Sequence, residues 1–168
     1  LLVSLAREGK HVVRLKGGDP MIFGRANEEI SAMRRAGLEI EVIPGVTAAC
    51  AGAAAIGASL TSRETARRVQ FITAHSKDGD FPEDFEWRAL ADPRATTAVY
   101  MGHRTLPALS ARLLKEGLPE ETPAYLIERA SSPDEKVFKG TIADLPQRIA
   151  EEKLSGPVML LIGRALLE

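Results

Sequence analysis

The sequence predicts an α/β fold with a largely parallel sheet. Short β-branched or apolar runs alternate with segments of helical spacing along the chain, which is the arrangement of strand–helix–strand units. The run at 157–162, PVMLLI, is continuously apolar, as expected for a strand buried on both faces. The chain has 168 residues, of which 45% are hydrophobic and 27% charged, so its composition is globular rather than disordered.

The first third of the chain predicts alternating helices and strands. Glycine or Pro-Gly ends each segment, because these residues favour helix ends and turns. Apolar residues at helical spacing indicate helices, and β-branched runs indicate strands. In chain order we predict a helix over 1–8 that ends at Gly9, a strand over 11–15, a helix over 27–35 with Ile30 and Met33 on one face and Gly37 after its end, a strand over 40–43 and an Ala-rich helix over 47–56.

The remainder of the chain continues the alternation. Aromatic and β-branched runs again indicate strands, and a polar stretch with Gly and Pro over 76–86 indicates a surface loop. In chain order we predict a strand over 69–73, a short helix over 87–90, a strand over 96–101, a helix over 106–116, strands over 123–127 and 136–140, a helix over 141–153 and a strand over 157–162.

Charge and cysteine content exclude several classes of protein. The chain carries 22 Lys and Arg against 23 Asp and Glu, which argues against a general nucleic-acid binder. The single cysteine, Cys50, excludes an internal disulfide or a Cys-rich zinc site and is compatible with a reducing cytoplasm. Because Cys50 is flanked by apolar residues, we expect it to pack in the core. The chain opens on Leu1 within an apolar segment, from which we expect that an N-terminal part is missing.

Two glycine-bearing bends follow predicted strands. One is Lys16-Gly17-Gly18-Asp19-Pro20, and the other is the Pro-Gly-Val-Thr segment over 44–47. Glycine lets the backbone approach a ligand closely, and open α/β sheets bind ligands at the carboxyl ends of their strands. Asp19 could accept a hydrogen bond from a ribose or an amino group. The structural alternatives are a tight strand–helix turn for the first bend and close helix packing for the second.

Charged and titratable residues add weaker signals. Arg25 and Arg63 are among several arginines near strand ends or in the crossover at 60–68, and arginine binds carboxylates bidentately. A site for a polyanionic substrate would use such residues, whereas a solvated surface is the alternative. Glu28 opens a helix, one turn after Arg25. His75 and His103 follow strands but have no metal-ligand spacing, so we predict no metal site.

Taken together, these segments resemble the tetrapyrrole (corrin/porphyrin) methylase family, and within it the members that methylate uroporphyrinogen III. The order of the motifs matches along essentially the whole chain, and the pair formed by LKGGDPMIFGR and PGVTA is specific. The segments are VVRLKGGDPMIFGR at 12–25, EE at 28–29, VIPGVTAA at 42–49, ASLTSRETAR at 58–67, VQFITAH at 69–75, TTAVYMG at 96–102 and PVMLLIGRA at 157–165.

The resemblance implies two α/β domains with the methyl donor S-adenosylmethionine in the cleft between them. Here the later part of the first domain would occupy residues 1–66 and the second domain residues 67–168. The implied reaction is a double C-methylation of uroporphyrinogen III to precorrin-2, in sirohaem- or cobalamin-type biosynthesis. The implied enzyme is a cytoplasmic homodimer that binds a small-molecule tetrapyrrole, with neither a nucleic-acid nor a membrane partner, and this chain by itself is expected to be inactive.

The family pattern also implies roles for individual residues. Arg25 and Glu28 correspond to catalytic positions, although the main acid–base candidates are expected in the missing part. Arg25, Arg63 and Met101 correspond to positions that face the acceptor. The donor-binding positions are Gly17, Gly18, Asp19, Ile22, Thr47, Ala48, Met101 and Ala130.

Other functions stay open at this stage. One is a methylase acting on a later precorrin, and another is a relative that methylates a protein side chain. A third, from a different class, is a non-catalytic S-adenosylmethionine-binding module. A nicotinamide-dinucleotide-binding domain is disfavoured because the chain has no G-x-G-x-x-G fingerprint.

Overall fold

The computed structural model describes residues 1–74 and 85–167. Their backbone falls into two units, Leu1–Ala48 and Ala49–Glu168. The domain limits expected from the resemblance, 1–66 and 67–168, stay a prediction. His75 and most of the loop predicted over 76–86 lie outside the described residues. Among the residues described, no helix is both long and apolar enough to cross a bilayer.

The first unit contains two helices, α1 over Leu2–Arg7 and α2 over Ala26–Arg35. Both agree with the sequence prediction within two residues. In α2 the buried side chains are Ile30 and Met33, the pair expected from helical spacing. Glu28 and Glu29 occupy its first turn, where carboxylates interact favourably with the helix dipole.

The strands predicted over 11–15 and 40–43 are wrong. Both segments lack regular secondary structure, and within the described part of the chain their backbone groups form no backbone–backbone hydrogen bonds. A β-branched run becomes a strand only when a neighbouring strand completes the ladder. Without that pairing, Leu15 and Ile43 remain 80% and 69% exposed. The two bends therefore follow segments without regular secondary structure rather than paired strands.

The second unit is built on a five-stranded sheet. In chain order its strands are β1 Arg68–Thr73, β2 Ala95–Tyr100, β3 Pro123–Glu128, β4 Lys136–Thr141 and β5 Val158–Ile162. They match the predicted strands within one or two residues at each end. Their spatial order is β1-β2-β5-β3-β4, and the three central strands are buried almost throughout. For β5 this confirms the burial predicted from its continuously apolar sequence.

The expectation of a largely parallel sheet is wrong. Only β1 and β2 pair in parallel, whereas β5 is antiparallel to both β2 and β3, and β3 is antiparallel to β4. Strands β3 and β4 are joined by the short connection 129–135, which brings the chain straight back alongside itself. The continuously apolar run at 157–162 predicted burial on both faces correctly. It carried no information about the direction of the neighbouring strands.

Helices pack around this sheet. They are α3 Ala48–Ala55, α4 Trp87–Leu90, α5 Leu106–Lys115, α6 Leu145–Arg148 and a final 3-10 helix Arg164–Leu167. The core joins α5 to β2, β3 and β5 through fully buried leucines such as Leu106, Leu109 and Leu160. A Cβ built on Gly52 of α3 would lie 3.2 Å from Cγ of Met159 in β5, so α3 lies close against the sheet.

Two local predictions in this unit are wrong. Cys50 is exposed, because Ala49, Gly52 and Ala53 form the buried side of α3. The helix predicted over 141–153 shrinks to the four residues of α6.

The shortening of that helix has a visible cause. Thr141 still belongs to β4, and its N–H donates to Oδ1 of Asp144 at 2.6 Å in a turn. Beyond α6, the N–H groups of Ala150 and Glu152 bond three residues back, to Gln147 and Ile149, as in turns rather than an α-helix.

Candidate functional site

Asp19 joins the two glycine-bearing bends of the first unit. Its Oδ1 accepts a hydrogen bond from the backbone N–H of Met21 at 2.8 Å, within its own bend. Its Oδ2 accepts one from the backbone N–H of Gly45 at 3.1 Å, in the Pro-Gly-Val-Thr bend. Each carboxylate oxygen has two lone pairs, so the side chain keeps acceptor capacity for a ligand.

The two bends are in van der Waals contact. A Cβ built on Gly45 would lie 2.7 Å from the carbonyl oxygen of Gly18, a distance that no real side chain tolerates. On the facing side, a Cβ on Gly18 would lie 3.5 Å from the carbonyl oxygen of Val46 and 3.7 Å from the nitrogen of Ala48. Glycine at 45 is therefore required for this close approach.

This contact brings most of the predicted donor-binding residues of the first unit into one place. Gly17 is exposed, and a Cβ on it would meet nothing within 4 Å, so the space above the bend is open. Asp19, Thr47 and Ala48 are half-buried around it. Ile22 is also half-buried, and its N–H donates to the carbonyl oxygen of Asp19 at 3.4 Å.

Arg25 and Glu28 form an exposed bidentate ion pair at the start of α2. Nε of Arg25 lies 2.8 Å from Oε1 of Glu28, and Nη2 lies 2.5 Å from Oε2. The hydrogen bond to Glu28 and its charge raise the pKa of Arg25 above its ordinary value. Arg25 has φ 55°, and Phe23 has φ 48°, so two side-chain-bearing residues adopt the left-handed region just before the helix.

In the second unit, the predicted positions Met101 and Ala130 lie at one edge of the sheet. Strands β2 and β3 are both antiparallel to β5, which separates them, so their carboxyl ends share that edge. Met101 directly follows β2, and Ala130 follows β3 by two residues. Two inter-strand spacings amount to about 10 Å. Met101 and Ala130 therefore lie at the same edge of the sheet, two strands apart.

Met101 and the two neighbours of Ala130 adopt left-handed backbone. Met101 has φ 57° and is half exposed. Ala130 lies between Arg129 and Ser131, with φ 53° and 67°. Left-handed backbone at non-glycine residues costs free energy and clusters at functional sites.

Arg63 lies in a separate turn of the second unit. An isolated bridge joins Ser62 to Ala66 across the turn, and Nε of Arg67 donates to the carbonyl oxygen of Arg63 at 2.9 Å. Arg63 is exposed. Within the described part of this unit, no hydrogen bond or ion pair joins Arg63 to Met101 or Ala130.

The structure gives a role to three residues to which the sequence assigned no individual role. Gly45 permits the contact between the bends, and Lys16 contacts both Gly24 and Glu29. Glu128, at the end of β3, is buried. The Pro-Gly pair signalled a turn at 45, but nothing in the sequence pattern signals the other two residues.

Glu128 anchors the turn before β5. Its Oε1 accepts hydrogen bonds from the backbone N–H groups of Gly156 at 2.7 Å and Ser155 at 2.6 Å. These two bonds hold the pKa of Glu128 below its ordinary value. The next residue, Arg129, donates its N–H to the carbonyl oxygen of Pro157 at 2.9 Å. The bend that carries Ala130 is thus fixed to the start of β5.

Comparison with known proteins places this geometry in a family. The model of the family described as Tetrapyrrole (Corrin/Porphyrin) Methylases matches residues 1–146. Siroheme synthase of Azotobacter vinelandii is 45% identical over 166 residues, and that of Pseudomonas fluorescens strain Pf0-1 is 45% identical over 165. These matches cover 99% and 98% of this chain but only 35% of each relative, so the chain spans about a third of their length.

Solved structures share the fold. A cobalt precorrin-4 methyltransferase superposes with a TM-score of 0.88 at 32% identity, covering 98% of this chain and 68% of the other. Uroporphyrin-III C-methyltransferase from Thermus thermophilus, complexed with S-adenyl homocysteine, gives 0.83 at 32% identity, covering 99% and 71%. With motifs, fold and relatives in agreement, the chain belongs to the tetrapyrrole (corrin/porphyrin) methylase family.

Proposed function

We propose that this chain is part of an S-adenosylmethionine-dependent methyltransferase that methylates uroporphyrinogen III twice to give precorrin-2. The observation that carries the proposal is the joining of two glycine-bearing bends by Asp19, with open space above Gly17. Similarity to siroheme synthases and to a uroporphyrin-III C-methyltransferase complexed with S-adenyl homocysteine supports it.

The bends fit the donor as its binding surface. Gly17 and Gly18 present backbone without side-chain bulk, and Asp19 retains acceptor capacity for the donor's ammonium or ribose hydroxyls. Ile22 supplies an apolar contact. Thr47 and Ala48 would contact the donor from the second bend, while Met101 and Ala130 would contact the adenosine.

The donor supplies a methyl group on a sulfonium, whose sulfur keeps the bonding pair as the methyl leaves. The protein's task is alignment with the acceptor carbon, which in well-oriented systems corresponds to about 7–11 kcal/mol of the barrier. Backbone bends suit this task because holding a ligand with them costs no side-chain entropy.

Arg25, Glu28 and Arg63 would act on the acceptor. Arginine binds carboxylates in a bidentate manner, and the proposed acceptor carries several. Attack by the ring carbon leaves a positive charge that is relieved by loss of a proton, so a base completes the step. Among the residues that the structure describes, we assign this task to Glu28. Nε of Arg25 donates a hydrogen bond to Oε1 of Glu28 at 2.8 Å and so holds its orientation.

The experiment uses the full-length enzyme of which this chain is proposed to be part, because the chain by itself is expected to be inactive. It combines a methyl-transfer assay with uroporphyrinogen III, read by product mass, with calorimetric titration by S-adenosylhomocysteine. The proposal expects binding of S-adenosylhomocysteine and a gain of two methyl groups by uroporphyrinogen III. Binding without transfer to uroporphyrinogen III, but with transfer to a later precorrin, would favour the second candidate. That candidate draws on the similarity to the cobalt precorrin-4 methyltransferase.

Arg63 has its own test in the same assay. Arg63→Ala should raise KM for the acceptor, whereas Arg94→Ala, another exposed arginine, should leave it unchanged. An unchanged KM in Arg63→Ala removes Arg63 from the acceptor site. The homodimer and the cytoplasmic location are further parts of this proposal, and the elution volume in size-exclusion chromatography tests the first.

A further inference from the structure

Lys16 ties the first bend into a closed loop. Its Nζ donates a hydrogen bond to the carbonyl oxygen of Gly24, eight residues further on, and this contact closes the segment that contains Gly17, Gly18, Asp19 and Ile22. Although it is a lysine, only 12% of its side chain is exposed. An ammonium group is rarely buried to this extent unless hydrogen-bond or ion-pair partners replace the water molecules around it.

The second partner of Lys16 is Glu29 in α2. Nζ lies 3.1 Å from Oε2 of Glu29, and Nε of Arg14 lies 3.3 Å from Oε1. The hydrogen bond from Lys16 is the main cause that lowers the pKa of Glu29. Glu29 thus holds Lys16 against a helix while Lys16 holds Gly24.

The backbone near Gly24 shows how tightly this loop is folded. A Cβ built on Gly24 would lie 2.8 Å from the carbonyl oxygen of Pro20 and 3.4 Å from Nζ of Lys16, so only glycine fits. The neighbours on either side, Phe23 and Arg25, have the left-handed φ values given above. Such backbone persists only where surrounding contacts determine it, and the Lys16 contact is one of these.

We infer that Lys16 is a positioning residue, which together with Glu29 holds the 17–24 loop in the shape that binds the donor. The inference rests on the proposed function, since the donor is the ligand that the loop would hold. In this proposal neither Lys16 nor Glu29 contacts the donor. They act by fixing the position of Gly24 and, with it, the backbone of the loop.

The test compares Lys16→Met with Lys10→Met. Lys10 is a matched control, because it also pairs with a glutamate, Glu8, at 2.6 Å. Both side chains of that pair are exposed, and the pair lies outside the 17–24 loop. Methionine keeps the unbranched apolar stem of the side chain and removes the ammonium group in both variants. The measurements, made on the full-length enzyme, are amide hydrogen exchange of residues 17–25 and the steady-state constants of methyl transfer.

In Lys16→Met, amides of this loop should exchange about tenfold faster and KM for the donor should rise about tenfold, the factor for one lost charged hydrogen bond of about 1.4 kcal/mol. The value of kcat should change less than KM, and Lys10→Met should match the wild type in all three. A general loss of structure would instead lower the melting temperature and speed exchange along the whole chain.

Glu29→Gln is the second variant, for the case in which Lys16→Met does not fold. It keeps size and one acceptor oxygen, so the same two quantities should shift in the same direction by a smaller factor. The inference is overturned if Lys16→Met and Glu29→Gln show the same amide exchange in the 17–24 loop and the same KM for the donor as Lys10→Met. A wild-type protein that does not bind S-adenosylhomocysteine overturns the proposed function, and the donor part of this inference falls with it. Loop exchange then still decides whether Lys16 holds the loop.

Discussion

The carboxylate of Asp19 accepts a hydrogen bond from the backbone N–H of Gly45, 26 residues further along the chain. With its other oxygen it accepts one from Met21, so a single side chain fixes both the shape of one bend and its distance from the other. In this account Asp19 has two tasks: it builds the donor surface, and it remains available to the donor.

The contact between the bends predicts the behaviour of Gly45→Ala. The new methyl group would lie 2.7 Å from the carbonyl oxygen of Gly18, so the bends must separate. We expect a loss of about 1–3 kcal/mol in the free energy of unfolding, as in other overpacked positions, together with weaker binding of S-adenosylhomocysteine. Urea unfolding and calorimetry measure the two quantities.

Gly17→Ala is the matched substitution for that experiment. Its methyl group meets no protein atom within 4 Å, so the free energy of unfolding should change by less than about 0.5 kcal/mol. It does enter the space assigned to the donor, so binding should weaken without loss of stability. Equal stability losses in the two variants would contradict the packing described for the bends.

Glu28→Gln tests the assignment of the base. The amide keeps the size of the side chain and an acceptor for Arg25 but accepts no proton, so kcat of the full-length enzyme should fall by about 10²–10⁴. Affinity for S-adenosylhomocysteine should stay unchanged, because Glu28 is not assigned to the donor. Glu39→Gln, at an exposed position after α2, is the control. A kcat within a few-fold of the wild type would remove Glu28 from the chemistry.

Glu128 predicts a pH dependence of stability. Its folded pKa lies below the ordinary value of 4.5, chiefly through the hydrogen bonds from Gly156 and Ser155. The ionised form therefore stabilises the fold at neutral pH, and this contribution is lost as the pH falls below about 4.5 and through the folded pKa. Glu128→Gln should be less stable than the wild type at pH 7, with the two melting temperatures converging at acid pH.

Glu120→Gln is the control for that series, because Glu120 is exposed and lies outside the sheet. Its melting temperatures should follow the wild-type curve across the acid range. If Glu128→Gln also follows that curve at every pH, the backbone bonds to Glu128 contribute no charge-dependent stability.

The sequence predicted the elements of the second unit well and their pairing poorly. The runs at 96–101 and 157–162 became strands within two residues. For 157–162 the reason is that burial on both faces demands a continuous apolar sequence. Their antiparallel pairing follows from β5, the last strand in the chain, which inserts between β2 and β3. No local pattern encodes which distant strand will become a neighbour.

The candidate site divides in the same way. Glycines at 17, 18 and 45 signalled bends, because their backbone preferences are local. The bond from Gly45 to Asp19 and the contact of Lys16 with Glu29 join residues 26 and 13 positions apart, and no periodicity links such pairs. The runs at 11–15 and 40–43 show the opposite case. Their residues have a high propensity for strands, but among the described residues no neighbouring strand pairs with them, and they form no strand.

Calorimetric titration of Asp19→Ala with S-adenosylhomocysteine tests the central claim most directly. Removing the carboxylate frees the N–H groups of Met21 and Gly45, so the bends lose their link and the donor loses an acceptor. We predict binding at least about tenfold weaker than in the wild type, with Glu39→Ala unchanged. Wild-type affinity in a folded Asp19→Ala protein would contradict the claim that these two bends form the donor surface.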